Sequence, residues 1–175
     1  MYITNNSKTG LLHSHDEQSY GDSSCLMGAS PTIPNGPSMC FNSAKSWQLG
    51  WYHEGHKVLN AEEIRDNIYD LISIANYNLI SNENIIIKIT KCADNFDYFV
   101  NFNREVGITA DNSEGHNMVF VTKAVSSYYA DSLLVARLQE DEEYIAKVLK
   151  SGNFIAIYVK SISNNMSPPF ASVRV

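Results

Sequence analysis

The chain has 175 residues and a mass of 19.6 kDa, with 44% hydrophobic and 18% charged residues. That composition excludes a disordered chain, which would lack the apolar surface needed to offset its ordering entropy. Its 13 Lys+Arg against 19 Asp+Glu give a net charge of −6 and a pI near 5.3, so no nucleic-acid partner is expected.

Residues Met1 to Thr9 are polar and lack the apolar core of a secretory signal peptide. Residues 1–40 read as loop, broken by Gly21, Gly28, Pro31, Pro34, Gly36 and Pro37. The stretch Cys40 to Leu49 reads as a short helix, with Phe41, Ala44 and Trp47 at helical spacing and Gly50 as its stop. A further helical turn is predicted over Ala61 to Arg65, with Asn60 as N-cap and Glu63 three residues on.

Short strands are predicted beyond that point, over 68–75, 84–90, 98–103, 118–122, 132–138, 144–149, 154–161 and 171–175. They are rich in Val, Ile, Tyr and Phe and are separated by Asn, Asp, Ser and Gly. Leu133–Leu138 and Glu142–Leu149 are also compatible with helix. The expected fold class is α+β, mostly β, with an antiparallel β-sandwich or jelly-roll-like region. The change of character divides the chain into residues 1–60 and residues 61–175. The longest apolar runs, such as Ile85-Ile86-Ile87, fall far short of the ~20 residues of a membrane-spanning helix, so no membrane span is expected.

Cys25 and Cys40 enclose fourteen residues rich in Pro and Gly. Two readings stand: one disulfide stapling the loop, stabilising by ~3 kcal/mol in the chain-entropy model, or two buried reduced thiols. Cys92 reads as a small buried hydrophobe. His13, His15 and Asp16 form an H-x-H-D pattern, read here as solvated polar residues rather than a metal site. His53 and His56, flanking Glu54 and Gly55, read as a surface turn, and His116 as an exposed loop residue. The run Glu140-Asp141-Glu142-Glu143 lacks EF-hand spacing and reads as a solvated turn. Trp47, Trp51 and Tyr52 read as packing residues in preference to a sugar-binding surface, and Arg104 as a partner of Glu105 or a loop acid. Neither a phosphate-binding glycine loop nor a G-x-S-x-G elbow is present.

Five blocks occur in order: GLLHS, YGDSSCLMG, CFNSAKSWQLGWY, YFVNFNREVGI and DSLLVARLQEDEEY. Together they resemble the gametolysin-type zinc metallopeptidases, a metzincin-like family that degrades extracellular-matrix or cell-wall glycoproteins. Metzincins carry HExxHxxGxxH followed by a Met-containing turn. Two His one helical turn apart hold zinc, the Glu deprotonates bound water, and the Gly lets a third His reach the metal. The resemblance covers residues 10–175 and makes His13 the third zinc ligand and Met27 the Met-turn residue. It makes residues 1–60 the remnant of a metallopeptidase C-terminal subdomain, with its helix near 40–49.

It further implies Zn2+ as cofactor and a protein or glycoprotein substrate in the complete enzyme. It places that enzyme outside the cell or in its wall, given an upstream signal peptide. The chain departs from the family where the first ligand, the base and the second ligand belong: these positions hold Ile3, Thr4 and Ser7. It is therefore expected to be inactive and not to hold zinc stably by itself, with no catalytic residue present. The alternative expectation is a non-catalytic β-sandwich module that binds a protein or glycan.

Overall fold

The computed structural model describes residues 13–14, 21–26, 28, 34, 36–79, 82–112, 114–126, 131–146 and 154–175. In chain order these form β1 (His13–Ser14), α1 (Ser43–Gln48), β2 (His56–Asn60), β3 (Ile68–Ile72), β4 (Ile86–Thr90), β5 (Phe96–Asn103), β6 (Met118–Val125), β7 (Ser132–Leu138), β8 (Glu143–Ala146), β9 (Ile155–Ser163) and β10 (Phe170–Arg174). The chain is thus mostly β, with two sheets and few helices, as expected. One sheet has the order β1-β7-β6-β5-β4-β2 and the other β3-β10-β9-β8.

The four-stranded sheet is antiparallel throughout. The six-stranded sheet is antiparallel from β4 to β7 but closes with a parallel strand at each edge, β2 on β4 and β1 on β7. An antiparallel sandwich or jelly-roll-like region was expected, and the two parallel edge pairs depart from it. The two edge strands come from before residue 60, so β2 and α1 pair and pack with strands from beyond it.

Alternation along β5 explains the layering. Tyr98, Val100 and Phe102 join β6, β7, β9 and β10 residues in one apolar cluster, where Val100, Phe102, Val121, Ile157 and Val173 are fully buried. Burying each such side chain stabilises by roughly 1.5–3 kcal/mol. The other face of β5 carries Asp97, Phe99, Asn101 and Asn103, and α1 lies across it. There a smaller cluster joins Ala44 of α1 to Ile72, Ile86, Phe99 and Ala124. Strand β5 is buried along almost its whole length because both of its faces are covered.

Several local expectations shift. Both segments compatible with helix, 133–138 and the described start of 142–149, are strands, because their alternating apolar residues face the inter-sheet core. The strand predicted over 68–75 stops at Ile72, and Ile74–Leu79 is a 3₁₀ turn. Residues 61–65 make a turn rather than a helix. Asn60 does cap it, accepting from the Glu62 N–H at 3.2 Å and donating to Glu63 Oε1 at 2.7 Å. Asp66 then takes a left-handed φ of 51°, and the Asn67 N–H donates to the Val175 carbonyl, which turns the chain into β3. His56, expected in a surface turn, begins β2.

Candidate functional site

The YGDSSCLMG and CFNSAKSWQLGWY blocks meet at the start of α1. Asn42 is the N-cap of that helix, its Oδ1 accepting from the Lys45 N–H at 3.1 Å. Its amide nitrogen also donates to Asp22 Oδ2 at 3.0 Å and to Ser132 Oγ at 2.9 Å. Its backbone N–H reaches Cys25 Sγ at 3.2 Å. Asp22 is fully buried and also accepts from the Ser24 N–H at 3.2 Å and from the Ser24 hydroxyl. A buried carboxylate is tolerated only when hydrogen-bonded, and here three donors converge on it.

The rest of the turn is equally constrained. The Cys25 N–H donates to the Asp22 carbonyl at 3.1 Å and the Gly28 N–H to the Cys25 carbonyl at 2.8 Å. A Cβ on Gly28 would lie 1.8 Å from the Asp22 carbonyl oxygen, so no larger residue fits without moving the turn. The Leu26 N–H donates to the Cys40 carbonyl at 2.9 Å, tying the turn to the strand-like entry into α1.

The helix itself is held at both ends and along its floor. Ser43 Oγ lies 2.8 Å from Thr122 Oγ1 of β6. At the C-terminal end the Gly50 N–H bonds the Trp47 carbonyl and the Trp51 N–H the Ser46 carbonyl, a Schellman motif with Gly50 at φ 72°. Gly50 therefore does stop the helix. Burial lowers the Lys45 ammonium, partly offset by Asp131 and Cys25.

Backbone pairing sets β1 in this neighbourhood: His13 is registered with Ser132, the residue whose hydroxyl accepts from Asn42. Met27, expected in the turn, lies outside the described residues, as do His15 and Asp16. No disulfide joins Cys25 and Cys40 in this structure, so of the two readings the reduced thiols describe it. Cys40 Sγ instead lies 3.9 Å from both the Tyr52 hydroxyl and the Ile108 carbonyl. Burial pushes its thiol up, against the lowering effect of Tyr52, and burial together with Asp94 and Asp97 pushes Cys92 up to about 12. Neither is a ready thiolate nucleophile near neutral pH.

Other singled-out residues do structural work. Trp47 stacks on His56 with centroids 3.8 Å apart and leans on Phe99, seating α1 against the sheet as expected. Trp51, by contrast, is 44% exposed and lines an open cleft. Arg104 Nη1 donates to Asn76 Oδ1 at 3.1 Å, while Glu105 pairs with His116 at 2.9 Å. The acidic run folds its carboxylates back: Asp141 accepts from the Tyr158 hydroxyl, Glu140 from the Ile162 N–H and Glu142 from the Gln139 N–H.

Among the described residues no group of three or more His, Cys, Asp or Glu is placed to hold a metal ion. Among them, too, no helix is long and apolar enough to cross a membrane. Of the residues that build the site, Asn42 was detectable as a polar cap preceding a helical run. Asp22 and Ser132 carried no signal, because their roles depend on contacts across 20 and 90 residues of chain. No family model matches the chain, and neither a curated protein nor a solved structure is significantly similar to it.

Proposed function

We propose that this chain is the portion of a gametolysin-type zinc metalloendopeptidase that follows the enzyme's first two zinc ligands. The complete enzyme acts on extracellular-matrix or cell-wall glycoproteins, outside the cell. One observation supports the reading: three of the blocks that resemble the family meet at the buried Asn42 side chain, and a fourth is joined to them by strand pairing. His13 pairs with Ser132, and Asn42, which starts α1, bonds both Ser132 and Asp22. A metzincin needs its third His and its Met-turn held rigidly together beneath the metal, and such a linkage is what would hold them.

The residues present do not by themselves make a zinc site. Ile3, Thr4 and Ser7 stand where two ligands and the base belong, and His13 is one ligand where three protein ligands are usual. In this reading the chain's own part is a scaffold: it presents His13 and the Met27 turn, and the remaining ligands are supplied upstream. Peptide mass mapping of the native protein, with zinc analysis of the same sample, tests this. Upstream peptides carrying H-E-x-x-H or Q-E-x-x-H, with about one bound zinc per chain, are expected. A native N-terminus at Met1 without zinc overturns it.

The second reading is a non-catalytic β-sandwich that binds a protein or glycan. It is favoured by the inter-sheet core, to which both sheets contribute fully buried residues. Cooperative unfolding of the 175-residue chain, together with ligand capture without zinc, is its expected signature.

A further inference from the structure

The chain leaves α1 through Gly50 and runs into a pair of aromatic residues whose setting differs from that of Trp47. Trp51, Tyr52 and Tyr77 line a cleft of about 540 Å³ with Ile85, Ile108 and Glu54. That volume lies in the range of small-molecule sites. Tyr52 has a left-handed φ of 62°, a costly conformation for a bulky residue, and it sets the ring between the other two. Trp51 and Tyr52 meet edge to face at 82° with centroids 6.4 Å apart, and Tyr52 and Tyr77 at 53° and 5.4 Å.

Three features narrow the ligand. First, the rings are inclined to one another and form walls, whereas the flat face of a sugar needs a single broad platform. Second, Glu54 supplies a carboxylate in a chain of net charge −6; the other titratable side chains in the lining are His53, Tyr52 and Tyr77. Third, among the described residues the chain's own cations occupy other rings. Lys88 lies over Trp47 and Phe99, Lys123 over Phe96 and Arg174 over Tyr158, so these cations do not cover Trp51, which leans on Phe41 at 5.4 Å, or Tyr52 and Tyr77. Inclined aromatic faces beside a carboxylate attract a compact, weakly hydrated cation through the ring quadrupoles.

We propose that this cleft binds a small quaternary ammonium compound of the choline type. The cation's methyl groups contact Trp51, Tyr52 and Tyr77, and Glu54 balances its charge. The site is independent of the peptidase reading. It lies beside β2 and β4, while β1 lies at the opposite edge of the six-stranded sheet, on the order of 20 Å away at the usual strand spacing.

Titration of the full chain with choline, followed by NMR of the two indole N–H signals, tests the proposal. The comparison ligands are 3,3-dimethylbutanol, which has choline's shape without its charge, and cellobiose. Choline is expected to shift the Trp51 signal and leave Trp47 unmoved, and to bind about threefold to tenfold more tightly than the neutral isostere. Glu54→Gln, an exposed position, should reduce that preference, and Trp51→Ala should abolish the shift of the remaining cleft resonances while leaving the far-UV CD spectrum unchanged. Equal binding of the isostere, preferential binding of cellobiose, no binding of choline, or unaltered choline affinity in Glu54→Gln overturns the proposal.

Discussion

The two faces of the six-stranded sheet are built on different principles. Toward the second sheet, β5 presents Tyr98, Val100 and Phe102, and the contacts there are apolar. Toward α1 the same strand presents Asp97, Asn101 and Asn103 around Phe99, and there a small apolar cluster is mixed with polar contacts, among them Ser43 with Thr122 and an ion pair between Lys88 and Asp97 at 2.8 Å. Apolar contact is strong but undirected, so it holds the sheets together without dictating a single arrangement of short loops. Buried polar groups must each find a partner, so they select one geometry for the turn at Asp22 and for α1. The first face supplies stability, and the second supplies position for the turn at Asp22 and for α1.

Variants on each face should separate these roles. Phe102→Ala empties a fully buried site between the sheets and should lower global stability by ~3–5 kcal/mol. Chemical denaturation checks this, and a loss below about 1 kcal/mol would show that the inter-sheet core is not the main source of stability. Gly28→Ala forces a methyl against the Asp22 carbonyl and should cost ~1–3 kcal/mol. Its mark should be faster hydrogen exchange in residues 21–26 and 40–43, with the inter-sheet amides still protected.

Asn42→Ala removes the helix cap together with the amide that joins Asp22 to Ser132, for an expected ~1–2 kcal/mol. Asn42→Asp keeps the cap but turns a donor toward the Asp22 carboxylate into a second carboxylate. It should therefore be no better than the alanine variant. If the aspartate variant matched the native protein, the bridging role of the amide would be wrong.

The smallest effect concerns pH. Burial holds His56 below its ordinary value of 6.5, with a backbone bond at Trp51 raising it and His53 lowering it further. The unfolded chain therefore takes up this proton first, and stability rises with pH in the interval between the two values. The contribution is complete above 6.5 and is lost as pH falls through the lowered folded value. His56→Phe, which keeps a ring on Trp47, should flatten the stability profile as pH falls below 6.5. An unchanged profile would assign the acid sensitivity elsewhere.

Much of the β region was legible in the sequence. The strand predicted over 154–161 corresponds to β9 (Ile155–Ser163), because a strand with one buried face places apolar residues such as Ile155, Ile157 and Val159 at every second position. Helix α1 and its Gly50 stop were legible for the same local reason: caps and stops are chosen by nearby residues. The strand at His56–Asn60 was not legible. HKVLN has one buried side chain, Leu59, and becomes a strand because β4 offers it an unpaired edge.

The aromatic residues show the same division. Trp47 and Trp51 stand four residues apart, and packing was the natural expectation for both. The Schellman turn at Gly50 separates them: Trp47 stays over the sheet, and Trp51 is carried past the helix end into the cleft with Tyr77, which is 26 residues further on. By itself the sequence determined the β-rich class and the short helix with its Gly50 stop. Only the tertiary structure decided that Asn42 joins Asp22 to Ser132, that Cys25 and Cys40 remain apart, and that Trp51, Tyr52 and Tyr77 face one cleft. The physical reason is range: periodicity and capping act over a few residues, whereas a buried hydrogen bond or a cleft wall exists only once distant segments have met.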